Sequence, residues 1–134
     1  MIDSKETNFV RLIDANLNRL KEGIRVIEDI ARYHDNNPKI AKTLKALRHK
    51  AKIEERYSEL LSSRDSQNDV LRASTTEEMK REDIQSVLIA NYKRAQESAR
   101  VLEEVTKIWG AHLSEKFKDI RYQLYTLEKE HLLD

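Results

Sequence analysis

The chain has no cysteine, only two glycines and a single proline among its 134 residues. The lack of cysteine excludes disulfides and thiolate metal sites, and it is typical of a protein in the cytoplasm. Glycine and proline supply many of the backbone conformations that tight turns need, so little turn chemistry is present for a sheet. The composition therefore favours long helices with few connections.

Neither sign of charge is in clear excess. Lys and Arg total 25 against 24 Asp and Glu, so the formal net charge is +1. A balanced domain has no general attraction for DNA or for anionic membranes. No apolar run approaches the length of a membrane span, and charges occupy the N-terminal stretch where a signal peptide needs apolar residues. We expect a soluble cytoplasmic protein with no nucleic-acid or membrane partner.

Apolar residues recur at the 3.6-residue spacing of amphipathic helices in four segments. The first predicted helix runs from about residue 4 to 34. The second begins at Pro38, a residue suited to the first helical position, and has apolar residues as far as Leu61. The third and fourth run from about 77 to 109 and from about 112 to 131, with Gly110 as the terminator between them.

One long polar segment, residues 64–76, separates the second and third predicted helices. Loops of this length in compact domains are often functional. Asp3 with Glu6, and Thr75 with Glu78, have the spacing of capping boxes, which predicts the starts of the first and third helices.

The two halves of the chain repeat each other. ANLNRLKEGIRVIED, residues 15–29, recurs as ANYKRAQESARVLEE, residues 90–104, and LKALRHKA at 44–51 resembles FKDIRYQL at 117–124. Each half, about 4–63 and 77–131, is therefore a long helix, a turn and a shorter helix. A single helical hairpin cannot bury both of its faces. We therefore predict one all-α domain, residues 1–134, in which two repeated hairpins pack as a four-helix arrangement.

The repeated stretch carries Asn, Arg and Glu in steps of three residues, which allows two interpretations. Alternating Arg and Glu at this spacing is typical of a solvated helix face with weak ion pairs. The two copies, however, keep these polar residues while apolar neighbours change, as from Leu20 to Ala95. Gly23 in one copy and Ser98 in the other indicate a close approach of helices around a polar pocket. Such a pocket, rich in Arg and Glu, would suit a phosphorylated ligand with Mg²⁺.

Other chemistries have weaker support in the sequence. Two glycines cannot form the phosphate-binding loops GxxxxGK[ST] or GxGxxG. The four histidines form no HExxH motif. Only Glu128 and His131 have the spacing of half a di-iron site, which needs two such pairs, so this match is attributed to chance.

The runs RLIDANLNRLKEGIRVIEDIARY and LRH, then SRD, REDIQSVLIANYKRAQESARVLEE and FKDIRYQLYTLEK, resemble a small family of about this length. The family comprises the monofunctional hydroxymethylpyrimidine phosphate kinases of thiamine biosynthesis, which occur alone or fused to the N-terminus of thiamine-phosphate synthase. The resemblance covers nearly the whole chain. It implies ATP-dependent phosphorylation of 4-amino-5-hydroxymethyl-2-methylpyrimidine phosphate to the diphosphate. Mg²⁺ would be the cofactor, and ATP and the pyrimidine phosphate would be the partners.

The resemblance also implies a set of site residues. Arg19, Arg94 and Asp65 would be catalytic, with Asp65 on a loop that closes over the nucleotide. The metal ligands would be carboxylates, from Asp65, Asp83, Glu97 and Glu103. The residues that would bind substrate or nucleotide are Asn16, Arg19, Glu22, Arg25, Arg48, Arg64, Asn91, Arg94, Glu97, Arg100 and Arg121, and Glu28 and Arg81 also match the motif. A glycine expected shortly after the Arg64–Asp65 pair is missing, which leaves the conformation of this loop open.

Two further interpretations stay open at this stage. RLIDANLNRL loosely resembles the first helix of the all-helical chorismate mutases, which would need neither ATP nor metal. A protein of a different class, a non-catalytic helical module associated with thiamine-phosphate synthase, would show the same periodicity. The charged outer face of the long helices is either solvated or in contact with another subunit, so a homo-oligomer is also an expectation.

Overall fold

A computed structural model describes residues 4–133, with the side chain of Glu77 left out. The described part is 81% helical and contains no strand, which confirms the predicted all-α class. No helix within that part is long and apolar enough to cross a membrane. The helices are α1 (Ser4–Asp29), α2 (Pro38–Lys50), α3 (Tyr57–Ser63), α4 (Thr76–Met79), α5 (Ile84–Val105) and α6 (Ala111–Leu133).

The first turn between helices forms where the sequence predicts it. α1 continues as one π-helical turn, Ile30–His34, before the chain reverses at Asn36, whose φ is 51°. Asn37 then caps α2, because its side-chain oxygen accepts a hydrogen bond of 3.1 Å from the amide of Ile40, and Pro38 occupies the first turn. The capping box predicted from Asp3 lies outside the described residues.

The second predicted helix is interrupted, which the apolar periodicity did not indicate. α2 ends at Lys50, a 3₁₀ turn spans Glu54–Arg56, and α3 follows. At the break Ala51 and Ile53 are both buried, so the bend inserts two apolar side chains into the core. It also turns α3 onto α1, and this packing outweighs the continuation of a single helix.

The third predicted helix begins seven residues later than expected. Thr75 caps α4, accepting a hydrogen bond of 3.2 Å from the amide of Glu78, but α4 ends at Met79. α5 starts at Ile84 because Asp83 and Ser86 form a reciprocal capping box, in which each side chain accepts a bond from the other's backbone amide. Ile84, which the apolar period of the third predicted helix would place in the core, is consequently exposed at the first position of α5.

The two long helices, α1 and α5, run antiparallel along the centre of the molecule. Near one end the rings of Phe9 and Trp109 meet edge to face with centroids 5.7 Å apart. Further along, Gly23 lies so close to α5 that a Cβ there would be 3.4 Å from the Cβ of Ala95 and from the carbonyl oxygen of Asn91. The close approach predicted at Gly23 is thus confirmed.

The core lies between the α1–α5 pair and the helices α2, α3 and α6. α2 and α3 pack against α1, α6 packs against α5, and α2 touches α6. The predicted apolar stripes fill this space, and the fully buried side chains include Ile13, Leu20, Ile24, Ile27, Leu44, Leu47, Leu102, Phe117, Ile120 and Leu124. The opposite side of α1 and α5 is left facing outward.

Candidate functional site

Each hairpin contains one Arg–Glu pair in which the arginine binds the glutamate with two of its nitrogens. In the first, Arg48 of α2 binds Glu28 of α1, with Nε–Oε1 and Nη2–Oε2 distances of 2.6 and 3.2 Å. In the second, Arg121 of α6 binds Oε1 of Glu103 in α5 with Nε at 2.9 Å and Nη2 at 2.8 Å. The two pairs occupy equivalent places in the repeat. Three residues assigned to a ligand site, Arg48, Arg121 and Glu103, are therefore bound within the hairpins, Arg48 by the motif residue Glu28.

Both glutamates are nearly removed from solvent, with side chains 3% exposed for Glu28 and 8% for Glu103. The hydrogen bond to Glu28 raises the pKa of the Arg48 guanidinium above its usual value, outweighing the opposing effect of burial. A buried carboxylate without its partner would be costly, so each pair must form whenever its hairpin forms. This gives a structural reason for the repetition of Glu and Arg in the two halves.

The repeated asparagines have a local role as well. Asn16 donates its side-chain amide to the carbonyl oxygen of Leu12, and Asn91 does the same to Val87, both at 2.9 Å. Each is an i to i−4 bond within its own helix, which satisfies a polar side chain at the edge of the core. Asn16 is buried, and its amide points along α1 to the carbonyl oxygen of Leu12.

Arg64 anchors the start of the long connection. Its guanidinium binds both oxygens of the buried Asp14 carboxylate at 2.9 Å, and the hydrogen bond with Asp14 raises the Arg64 pKa despite the opposing effect of burial. Beside it, Arg11 donates to the carbonyl oxygen of Asp65 at 3.1 Å. Asp14 was missed by the sequence reasoning, although it carries a charge at a position next to the apolar stripe residue Ile13. A cleft of about 450 Å³ lies next to the Arg64–Asp14 ion pair, and Lys21 and Tyr57 are among the residues that line it.

The remaining ladder residues fall into a paired and an unpaired group. Arg25 binds Asp29 one turn on, and Arg100 binds Glu103 and Glu104. The unpaired group lies at the centre of the ladder and is exposed in both halves, without any hydrogen bond or ion pair to another described residue: Arg19, Glu22, Arg94 and Glu97.

The carboxylates assigned to Mg²⁺ do not assemble into a metal site. Asp83 caps α5, Glu103 binds arginines, and Asp65 accepts two bonds of 3.0 Å from the side-chain amide of Asn68. Across residues 4–133, leaving aside the Glu77 side chain, no three His, Asp or Glu side chains are grouped to hold a metal ion. The carboxylates assigned to Mg²⁺ are therefore not brought together at one site among the described residues. Arg81, also implied by the resemblance, donates to backbone carbonyls, that of Lys80 at 2.6 Å and that of Glu78 at 3.4 Å.

A second polar cluster connects the end of α6 to the turn after α1. The buried Tyr92 hydroxyl is 2.9 Å from Nδ1 of His131, whose Nε2 donates to Asp35 at 2.6 Å. His34 binds the other oxygen of Asp35 at 2.7 Å. His131 and Glu128 have the spacing of half a di-iron site, which the sequence analysis attributes to chance. In the structure both ring nitrogens of His131 are taken up by Tyr92 and Asp35.

With this geometry described, the relationships of the chain can be stated. A family model, that of the ThiD2 family, matches residues 11–130. The chain belongs to the ThiD2 family. No solved structure matches it.

Several curated relatives of this ThiD2-family chain are named thiamine-phosphate synthase. That of Nostoc punctiforme is 40% identical over 119 residues, which are 88% of this chain and 34% of the relative. That of Synechocystis sp. is 36% identical over 129 residues, or 96% and 37% of the two chains. That of Rhodopirellula baltica is 34% identical over 134 residues, or 97% and 36%. The chain thus spans about a third of the length of these relatives.

These relatives correct the functional prediction made from the sequence. They are named as synthases and not as kinases, so the prediction of a phosphotransferase that converts the pyrimidine monophosphate to its diphosphate is wrong. Membership of the ThiD2 family also gives no support to a chorismate-mutase-like enzyme. The alternative of a helical module associated with thiamine-phosphate synthase agrees better with the comparison.

Proposed function

We propose that this chain is a non-catalytic helical module that works with thiamine-phosphate synthase in thiamine biosynthesis. The observation that carries the proposal is the extent of the similarity: 88% to 97% of the chain aligns with 34% to 36% of the Nostoc punctiforme and Rhodopirellula baltica synthases. A segment that matches nearly in full, and leaves about two thirds of each relative unmatched, behaves as a unit added to another region.

Several side chains that the resemblance placed in the binding motif support a scaffold in preference to a reaction centre. Glu28, Glu103, Arg48 and Arg121 join helices within each hairpin, and Arg64 fixes the start of the connection by binding Asp14. These are interactions that hold a fixed shape. A module of fixed shape can position a second region at little cost in conformational entropy.

The long connection offers a surface on which the rest of a synthase can pack. Val70 and Leu71 lie on it with 94% and 83% of their surface exposed, and Met79 at the end of α4 is also exposed. Apolar side chains held in solvent on a polar segment are typical of interaction sites. We therefore place the contact with the synthase region on residues 64–83.

A chimera tests the proposal. The aligned segment of the Nostoc punctiforme synthase is replaced by this chain, and thiamine phosphate formation is compared with that of the natural protein and of a version lacking the segment. We expect the chimera to retain activity within about threefold of the natural protein, and the deleted version to lose at least about tenfold in activity or to unfold more readily. A deleted version as active and stable as the natural protein would contradict the proposal.

The position of the contact is tested within the same chimera. Val70→Asp with Leu71→Asp should reduce activity or thermal stability towards the level of the deleted version, because two charges replace apolar contacts. Ser66→Asp with Gln67→Asp adds the same charge to exposed positions of the same connection and is the matched control. Equal effects of the two double substitutions would show that the contact lies elsewhere.

A further inference from the structure

The outward side of α1 and α5 carries a second stripe of residues in addition to the one that fills the core. Its members are spaced by three and four residues alternately and correspond to one another at an offset of 75. The outer stripe consists of Leu12, Ala15, Arg19, Glu22 and Val26 on α1, and of Val87, Ala90, Arg94, Glu97 and Val101 on α5. Ala, Arg and Glu are identical in the two halves, and the outer positions are apolar in both.

This spacing is that of a helix seam which packs against other helices. Alternating steps of three and four place side chains on one line of a helix, as at the a and d positions of coiled coils. The α1 residues of the outer stripe are not part of the core, since Leu12 and Val26 are 41% and 37% exposed and Ala15 is also exposed. On α5, Val87 and Val101 are half-buried. The molecule thus has helix-packing positions that its own helices leave uncovered.

The charges at the centre of the outer stripe differ from the other charges of the ladder. Arg25, Glu28, Arg100 and Glu103 all have ion-pair partners within the chain. The four central residues have none among the described residues, although Arg19 and Glu22, like Arg94 and Glu97, lie within one helical turn of each other. Their charges cancel in total and alternate along each helix, so they match a partner whose charges also alternate.

The arrangement of the two helices makes the outer stripe complementary to itself. Phe9 lies against Trp109 and Gly23 against Ala95, so the two helices run antiparallel. Two antiparallel helices that carry the same pattern are related by an approximate twofold axis. Both helices read Arg-x-x-Glu in the chain direction. When the outer stripes of two copies of the chain are in contact, each arginine lies near a glutamate of the other copy, whether α1 or α5 is opposite. The small alanines allow the helices to approach closely. Self-complementary patches of this kind form twofold-symmetric dimers.

We propose that the outer stripe is the interface of a homodimer of this chain. Arg19 and Arg94 bind the carboxylates of Glu22 or Glu97 of the partner subunit, and the apolar residues at either end of the stripe exclude water from these pairs. The outer stripe adjoins the start of the connection, since Ala15 and Glu22 line one cleft with Arg64, whereas the proposed synthase contact depends on the exposed Val70 and Leu71.

Charge reversal tests the dimer directly. Sedimentation velocity over about 1 to 100 µM should show a dimer for the natural chain, with dissociation favoured by high salt. Arg19→Glu with Arg94→Glu should raise the dimer Kd by at least about 100-fold, because both interfacial arginines then repel the partner's glutamates. Lys45→Glu with Lys129→Glu changes the net charge equally at exposed positions of α2 and α6, and this control should leave the Kd unchanged.

A charge-swap experiment separates the interface from any effect on folding. Glu22→Arg with Glu97→Arg should also be monomeric alone. Mixed with the Arg19→Glu/Arg94→Glu chain it should form a heterodimer, since one stripe is then wholly positive and the other wholly negative. A natural chain that stays monomeric, a reversed chain that still dimerises, failure of the mixture to associate, or self-association seen only with a synthase region present would each overturn the proposal.

Discussion

At the scale of single residues, the polar residues repeated in the two halves have two different uses: some form ion pairs inside a hairpin, and others face outward. Glu28 and Glu103 bind Arg48 and Arg121 inside their hairpins. Arg19 and Arg94 face outward, with no ion-pair partner in the part of the chain that the structure describes. The sequence shows the repetition but does not separate these uses. The difference arises because the ladder moves around the helix by about 60° at each step of three residues, so it passes from the buried Asn16 through solvent at Arg19 and returns to the buried side at Glu28.

The Glu28–Arg48 pair should contribute far more to stability than the exposed Arg25–Asp29 pair. Arg48→Ala leaves a buried carboxylate without a partner, so we expect the free energy of unfolding to fall by about 3 kcal/mol. Arg25→Ala removes a solvated pair and should cost less than about 0.5 kcal/mol. Urea denaturation of both variants measures the difference. Equal costs would mean that the Glu28 carboxylate gains its solvation elsewhere.

Asp35 should make stability depend on pH on the acid side. Burial alone would raise the pKa of its carboxyl, but hydrogen bonds from His34 and His131 outweigh burial and hold the pKa below its usual value of 3.8. Because the pKa is lower in the folded chain than in the unfolded one, Asp35 stabilises the fold above about pH 4. This contribution is lost as the pH falls through the lowered value.

Asp35→Asn tests this contribution. At pH 7 the variant should lose about 1 to 2 kcal/mol of stability, because Nε2–H of His131 then donates to a neutral amide oxygen, which is a weaker acceptor than a carboxylate. Its stability should also fall less steeply than that of the natural chain between about pH 5 and 2. Thermal unfolding at a series of pH values measures both effects. If the stability of the variant and of the natural chain fell equally steeply below about pH 5, Asp35 would be excluded as the titrating group.

At the scale of the elements, local polar residues decide where helices begin, and tertiary contacts decide where they break. Asn37 and Pro38 start α2 at the predicted place, and Asp83 with Ser86 starts α5 later than the apolar period indicated. The break after Lys50 has no glycine or proline to mark it. It forms because Ala51 and Ile53 gain burial and because α3 can then cover α1.

The closest approach of α1 and α5 gives a prediction at this scale. Gly23→Leu must push the two helices apart, because even a Cβ would be 3.4 Å from Ala95 and from the carbonyl oxygen of Asn91. We expect a loss of about 2 to 3 kcal/mol in the free energy of unfolding.

Gly23→Ala is the matched control for this prediction. Its single methyl group meets contacts that are tight but tolerable, and alanine favours the helix by about 1 kcal/mol, so the net change should stay within about 1 kcal/mol. Chemical denaturation compares the two. A leucine variant as stable as the alanine variant would show that the helices can separate at no cost.

At the scale of the whole molecule, the α1–α5 contact joins two hairpins and the long connection lies outside them. Residues 64–75 are exposed throughout, whereas the equivalent side chains Leu20 and Ala95 are both fully buried. The cohesion of the fold therefore depends on the packing between halves more than on the covalent link between them.

Limited proteolysis tests this organisation. Thermolysin should cut first between residues 69 and 72, because Val70 and Leu71 are apolar and almost fully exposed. The two fragments should remain associated in native size-exclusion chromatography and separate in urea, since the apolar α1–α5 interface holds them. A first cut in the turn at residues 35–37, or fragments that separate without denaturant, would contradict this view.

The sequence alone determined the helical class, the turn at Asn36 to Pro38 and nearly all of the core stripe on α1. Spacing and capping are local properties, and local properties can be read without knowing what packs where. Ile84 was misplaced because a capping box formed by Asp83 and Ser86 overrode the apolar period. The candidate site residues were found as a group but not in their roles.

Only the tertiary structure decided those roles. Arg64 is separated from Asp14 by 50 residues, Arg48 from Glu28 by 20 and His131 from Asp35 by 96, and no local pattern links such residues. Whether an arginine on a helix reaches a buried carboxylate or faces solvent depends on which helix covers it. That is set by the packing of the two hairpins, because charges are stabilised by the atoms that surround them in space.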